Sequence, residues 1–156
     1  MNQDVVVTRI INAPLAVVWK LWTDPKEVVK WWGPADYTSP SARNDLRQGG
    51  SYVFTMQAPD YQGKQVSHTS GEYTDVVPMQ KLVFTQGLSD ADGKRLPDDE
   101  LPEDFPSNIE TTVEFKEVNG MTELKITEHG WKLSKMSVYA YAGMHQSLDK
   151  MSAMFQ

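Results

Sequence analysis

SKMSVYAYAGMHQSLDKMSAMFQ, residues Ser134 to Gln156, contains no proline and a single glycine. Its apolar residues Tyr141, Met144, Leu148, Met151 and Phe155 step by three and four, the spacing of one helix face. At 1.5 Å per residue such a helix would be roughly 33 Å long, enough to cross a small domain. Four of the eight methionines, Met136, Met144, Met151 and Met154, fall in it. Methionine is flexible and polarizable and fills irregular space. The stretch reads either as a core helix packed with soft side chains or as one wall of an adaptable pocket.

A helix of this length needs a sheet to cover, and the preceding sequence supplies one. Val5 to Ile11 is rich in β-branched residues and reads as a strand. Asn12-Ala13-Pro14 stops it, with Asn12 or Ala13 placed as a cap and Pro14 in the first helical turn. Leu15, Val18, Trp19 and Trp22 follow helical spacing. Asp24 then caps a second short helix with Pro25 at its first position. That helix carries Val28, Val29, Trp31 and Trp32 and ends at Gly33-Pro34. Four of the five tryptophans thus lie between Trp19 and Trp32. They form either a helical plug on the core or an aromatic rim on a pocket.

From Ser39 the period becomes two. Ser39 to Asp45 reads as a weak strand, and Leu46 to Gly50 as a turn. Tyr52, Phe54 and Met56 alternate with Val53, Thr55 and Gln57. Ala58 to Gly63 is a hairpin loop, and Gln65 to Val77 a polar strand in which Gly71 suggests a bulge or bend. Leu82 to Gln86 is a compact apolar strand. Leu88 to Ser107 has no periodicity and reads as a long loop. Ile109, Thr111, Val113 and Phe115 alternate with polar residues, and Asn119-Gly120 signals a tight hairpin. The partner strand puts Thr122, Leu124, Ile126 and Glu128 on one face and ends at His129-Gly130-Trp131. Strands joined by short loops imply an antiparallel sheet. The expected class is α+β: a curved sheet wrapped around a long C-terminal helix, with two short helices after the first strand.

Composition bounds the partners. The 156 residues are 40 % hydrophobic and 23 % charged, as in one soluble domain spanning residues 1–156. The net charge of −6 lacks the basic footprint of a nucleic-acid binder. Seven acidic and two basic residues between Asp90 and Asp104 account for −5 of it. That acidic loop could be a lid, a partner surface or a solvated excursion. The absence of cysteine excludes disulfides and thiolate metal sites. No apolar run approaches the ~20 residues that span a bilayer. Met1-Asn2-Gln3-Asp4 lacks the features of a signal peptide, so a cytoplasmic location is expected.

No catalytic or metal motif stands out. His68, His129 and His145 match no metal spacing, and neither metal nor cofactor is expected. Glu128 is the polar residue of interest, because it falls on the apolar side of its strand. A carboxylate facing a cavity loses hydration, which raises its pKa and suits acid/base work or ligand binding. Alternatively the strand frays there and Glu128 reaches solvent, Arg43 or Arg9. His129 points to the opposite face and makes a poor partner for it. His68 reads as a surface residue and His145 as a residue at a pocket rim.

Four blocks carry a family resemblance. The first runs from Ala13-Pro14 through Val18-Trp19 and Trp22-Thr23-Asp24-Pro25 to Trp31-Trp32-Gly33-Pro34. The second is Asp45-Leu46-Arg47-Gln48-Gly49-Gly50. The third joins Gly71-Glu72-Tyr73 to Pro78 and Leu82-Val83-Phe84-Thr85. The last is Gly143-Met144-His145-Gln146-Ser147-Leu148-Asp149-Lys150-Met151. In this order, from about Val5 to Phe155, the chain resembles bacterial SRPBCC proteins related to the C-terminal domain of the Hsp90 ATPase activator. The resemblance implies a helix-grip fold, also seen in START lipid-transfer domains and the birch-pollen allergen. Fold is not activity, and the superfamily includes lipid carriers, hormone receptors, cyclases and co-chaperone domains.

Three functions follow as expectations. The first is binding or carriage of a small hydrophobic molecule between sheet and helix. Its candidate walls are Trp32, Tyr52, Phe54, Phe84 and Val113, with Phe115, Glu128, Tyr141, Met144 and Leu148. The second is a co-chaperone-like interaction domain in a stress-response setting, acting as a monomer or homodimer. The third, given less weight than binding, is a cyclase- or hydrolase-type enzyme with Glu128 as acid/base. Relatives often carry tryptophan where this chain has Met144. A smaller, more flexible residue there would enlarge or soften the wall, and Gly143 would admit close approach.

Overall fold

Seven strands form one sheet, and every neighbouring pair in it is antiparallel. The computed structural model describes residues 2–156; Met1, read above as part of the N-terminal segment, lies outside the described residues. The strands are β1 (Asn2–Ile11), β2 (Ala42–Asn44), β3 (Ser51–Gln57), β4 (Val66–Val77), β5 (Lys81–Ser89), β6 (Ile109–Val118) and β7 (Met121–Lys132). Their spatial order is β1-β7-β6-β5-β4-β3-β2, so every hairpin after β1 pairs with its neighbour in sequence. Helices α1 (Leu15–Thr23) and α2 (Pro25–Val28) follow β1, and α3 (Lys135–Ala153) follows β7. This is the helix-grip arrangement, a curved sheet around a C-terminal helix.

Local chemistry sets most of these boundaries. The Asp24 carboxylate accepts the Lys26 backbone N–H at 2.9 Å, capping α2 with Pro25 at its first position. Asn119 and Gly120 both have positive φ, 52° and 79°, as a type I′ hairpin turn requires. Ser134 and Ser137 exchange side-chain and backbone hydrogen bonds across the first turn of α3, a capping box. At α1 the expected cap is corrected. Pro14 itself is the cap residue, with extended backbone and no side-chain bond. Its carbonyl accepts Val17 and Val18, and the helix starts one residue later.

Three further expectations change. The weak strand after Ser39 shrinks to Ala42–Asn44, because Pro40 has no N–H to give a ladder. The irregularity in β4 lies between Tyr73 and Asp75, not at Gly71. Gly71 answers a different need: a Cβ there would overlap the Thr85 carbonyl oxygen. Finally, β5 runs on to Ser89, and the first part of the expected loop folds back as a hairpin. The Asp90 carboxylate accepts the N–H groups of Asp92 and Lys94, each at 2.9 Å, and Arg95 bridges back to Ser89. Periodicity is blind to such a turn, which is held by one side chain.

Gly71→Ala should therefore cost on the order of 3 kcal/mol, because strand backbone must move to admit the methyl group. Gly143→Ala is the control. Its Cβ would meet the Pro34 ring at an ordinary 4.0 Å, and alanine favours a helix over glycine by roughly 1 kcal/mol. Urea midpoints should fall for the first variant and hold or rise for the second.

The core fills the space between the sheet and the helices. Leu148 and Met151 of α3 are fully buried beside Ile11, Val113, Leu124 and Ile126. Tyr52, Phe54, Tyr73 and Phe84 stack on one another across β3, β4 and β5. At the end closed by α1 and α2, Trp22 meets Trp31 at 4.5 Å and Trp31 meets Trp32 at 5.6 Å between ring centres. None of the helices among the described residues is long and apolar enough to cross a membrane.

Candidate functional site

Packing loosens toward the N-terminal half of α3. Leu148 and Met151, in its C-terminal half, are buried, whereas Val138, Tyr139 and Tyr141, in its N-terminal half, are exposed. Between this half-helix and the sheet lies a cleft of about 230 Å³. Trp31, Trp32 and Pro34 close it on the α2 side, and Met136, Ala140, Gly143 and Met144 of α3 form its roof. Met56, Thr69, Gln86 and Leu88 line the sheet side from β3, β4 and β5, and Glu128 and Trp131 do so from β7. The volume lies below the ~300–1,000 Å³ of sites for drug-sized molecules, so the cleft suits a small ligand of about two rings.

Glu128 and Trp131 reach the same face through a bulge. Strict alternation would send residue 131 outward, the way His129 points. Gly130, at φ 113°, takes up an extra residue, and the β1–β7 register shifts between Gln3 and Val5. Trp131 consequently turns inward, 3 % exposed, and its Nε1–H donates to Glu128 Oε1 at 3.0 Å. Phe105, from the acidic loop, packs edge-on against Trp131 at 5.2 Å. Arg95 pins the end of that loop by donating to the Ser107 carbonyl at 2.6 Å and to Asn108 Oδ1 at 3.1 Å.

The Glu128 carboxyl is 4 % exposed and has no salt-bridge partner among the described residues. Burial pushes its pKa up to about 7, with the Trp131 N–H pulling weakly the other way. The solvent and arginine alternatives for this residue are thereby overturned. Arg9 instead pairs with Asp149 at 2.9 Å and donates to His145 Nδ1 at 3.1 Å, and Arg43 donates to the Ala91 carbonyl at 2.8 Å. Beside Glu128, Thr111 lies directly opposite on β6 and donates to Gln86 Oε1 at 3.2 Å.

Of the expected wall residues, the structure brings Trp32, Glu128 and Met144 together on the cleft. Tyr52, Phe54, Phe84, Val113, Phe115 and Leu148 are packed in the core and do not line it. Tyr141 is a correction: it is 47 % exposed and stacks on His145 at 4.5 Å. The stripe facing the cleft is Met136, Ala140, Gly143 and Met144, and Tyr141 falls at its solvent edge. Gly143 admits no close backbone approach, since a Cβ there makes ordinary contact; it leaves the roof open. His68 is half-buried, its Nδ1 2.8 Å from Thr55 Oγ1, and exposed His129 meets Asp4 at 2.9 Å. Among the described residues no three acidic or histidine side chains converge as a metal site.

Sequence reasoning missed Trp131, Gln86 and Phe105. Gly130 was the available sign of the bulge that turns Trp131 inward. Gln86 had strand alternation with Leu82 and Phe84. Phe105 carried no local signal, because it reaches the cleft from an aperiodic loop.

Comparison with known proteins agrees with this architecture. Residues 12–156 match the family model described as Activator of Hsp90 ATPase homolog 1-like protein. A crystal structure of a Chromobacterium violaceum protein superposes with a TM-score of 0.76 at 23 % identity, covering 97 % of this chain and 96 % of that one. A Mycobacterium smegmatis protein gives 0.77 at 22 %, covering 98 % and 90 %. The AHSA1 protein of Silicibacter pomeroyi gives 0.75 at 23 %, covering 97 % and 96 %. At these identities the likeness is one of fold. No curated protein matches the chain.

Proposed function

The chain belongs to the Activator of Hsp90 ATPase homolog 1-like family of the SRPBCC superfamily, and from that premise we propose that it binds a small apolar molecule in the cleft beneath α3. The observation that carries this reading is a buried acid at the floor of an apolar space. Glu128 has one oxygen committed to Trp131, and the lining of the cleft is mostly rings and methionines, with Thr69, Gln86 and Ser147 among its polar side chains. Burying an ionisable group in a core that could have been filled with hydrocarbon costs stability. A ligand that hydrogen-bonds the second oxygen offsets that cost. The flexible thioethers of Met56, Met136 and Met144 let the walls fit ligands of differing outline.

Met144→Trp tests the reading. An indole at position 144 occupies the roof of a cleft of only about 230 Å³. Titrated with the neutral two-ring fluorophore 6-propionyl-2-(dimethylamino)naphthalene, the parent protein should take up the dye. The variant should bind it about tenfold more weakly or worse, with its thermal midpoint nearly unchanged. Equal affinity in the two proteins, or no uptake by the parent, counts against the cleft as the binding site.

A second reading, contact with a chaperone, is favoured by one surface. Leu133, Val138 and Tyr139 are about three-fifths exposed at 61 %, 60 % and 63 % and line one shallow depression, and solvent-exposed apolar clusters mark interaction sites. In that reading Val138→Asp abolishes stimulation of an Hsp90 ATPase and leaves dye uptake intact.

A further inference from the structure

Building on the cleft as a ligand site, we infer that it selects molecules with an uncharged carbonyl group, whose oxygen accepts hydrogen bonds from both Gln86 and Glu128. The hydrogen bonds already made around the floor decide the polarity of what is left. Thr111 Oγ1 donates to Gln86 Oε1, so the acceptor side of that amide is occupied and its N–H₂ is the free side. Trp131 Nε1 donates to Glu128 Oε1, so the neutral acid carries its proton on the other oxygen. The Ser147 hydroxyl is spent on the Gly33 carbonyl at 2.8 Å, and the Trp31 N–H on the Leu21 carbonyl at 2.8 Å. At the floor two donors therefore remain, Gln86 on β5 and Glu128 on β7, flanking Thr111 of the strand between them; the Trp32 N–H and the Thr69 and Tyr139 hydroxyls also line the cleft and add donors rather than charge.

The spacing suits one acceptor atom. Adjacent strands lie about 4.8 Å apart, and the Gln86 amide already reaches across to Thr111 on β6. On that strand spacing, a single oxygen placed between the two would make a hydrogen bond of about 2.8–2.9 Å to each donor. A ligand amine or ammonium would instead face the Gln86 N–H with its own hydrogens. A ligand carboxylate would bring an unpaired charge into a cleft whose lining, among the described residues, holds no lysine or arginine. Among the described residues that line the cleft, from the α2–β2 connection, β3, β4, β5, the loop after β5, β7 and α3, Glu128 is the one carboxyl and Tyr139 the one other ionisable side chain. Carbonyl recognition therefore depends on the protonation of Glu128, and the raised carboxyl, up to about 7, keeps the donor form present in mildly acidic solution.

Calorimetric titration with three naphthalenes of one shape tests this: 2-acetylnaphthalene, 2-ethylnaphthalene and 2-(1-aminoethyl)naphthalene. The Trp131 indole N–H resonance reports whether each sits at the floor. Near pH 5.5 the ketone should bind about tenfold tighter than the hydrocarbon, the effect of two neutral hydrogen bonds. Near pH 8.5 that preference should fall to about threefold or less, because the ionised carboxylate has no proton to give and only the Gln86 N–H still donates. Glu128→Gln should keep the preference at both pH values, its amide N–H replacing the O–H, and Gln86→Leu should reduce it to about threefold. Equal binding of ketone and hydrocarbon near pH 5.5, or tightest binding of the amine, overturns the carbonyl inference and leaves the apolar cleft standing. Failure of all three to bind overturns both.

Discussion

Trp31→Ala should destabilise the protein by about 3–5 kcal/mol, enough to unfold a domain of ordinary stability. Trp31 is 1 % exposed. It stands between Trp22 and Trp32 in the aromatic chain at the closed end of the sheet. Truncation removes the ring contacts and leaves a cavity that α2, only four residues long, cannot collapse to fill. It also strips the Leu21 carbonyl of the indole N–H that it accepts at 2.8 Å. That bond ties the turn after α2 to the last turn of α1, so both short helices lose their anchor. Trp22 is the internal control. Its Nε1 has no hydrogen-bond partner among the described residues. Trp22→Phe deletes an unpaired donor along with ring area and should cost less than Trp31→Phe, which breaks a satisfied bond. Urea unfolding followed by far-ultraviolet circular dichroism measures all three variants. A Trp31→Ala protein that unfolds at the parental midpoint would show the aromatic plug to be dispensable.

What could be read in the residues alone depended on how local the cause was. Asp24-Pro25 and Asn119-Gly120 act within one turn, and the alternation from Ile109 to Phe115 needs only the strand itself. These landed where expected, and the four motif blocks fixed the family because each belongs to such a feature. Glu128 was placed on the inner face by the same alternation. Its partner was not, since the bulge at Gly130 breaks period two between the two residues. The wall on α3 was misassigned for a different reason. Apolar side chains surround the first half of that helix: Met136, Val138, Tyr139, Ala140, Tyr141 and Met144. Periodicity cannot choose a face where all are apolar, and Tyr141 took the place that belongs to Ala140 and Gly143. The cleft itself is an absence of packing, set by small residues opposite Pro34 and by Phe105 arriving from an acidic loop. No window of sequence short enough to scan contains both.

Glu128→Gln should make the protein more stable at neutral pH and flatten its pH dependence. The folded-state carboxyl titrates at about 7, against 4.5 for the exposed group. Between those values the native protein holds a proton that the unfolded chain has released. Stability rises with pH only where the unfolded state binds more protons, so here the sign is negative. The contribution of Glu128 is unpenalised below about pH 4.5, declines as pH rises, and levels off above about pH 7. Over that interval the loss is about 3 kcal/mol, from roughly 1.4 kcal/mol for each pH unit. Glutamine keeps the shape and the acceptor for Trp131 Nε1 but carries no charge to bury. Every other ionisable side chain is common to the two proteins and cancels in the difference. The difference in unfolding free energy should therefore be small near pH 4.5, grow through pH 6 and reach its plateau near pH 8. A flat difference across that range would mean that Glu128 is hydrated in solution, and the donor it offers to a ligand carbonyl would go with it. A rising difference that a saturating carbonyl ligand increases would tie the stability of the fold and the occupancy of the cleft to the same proton.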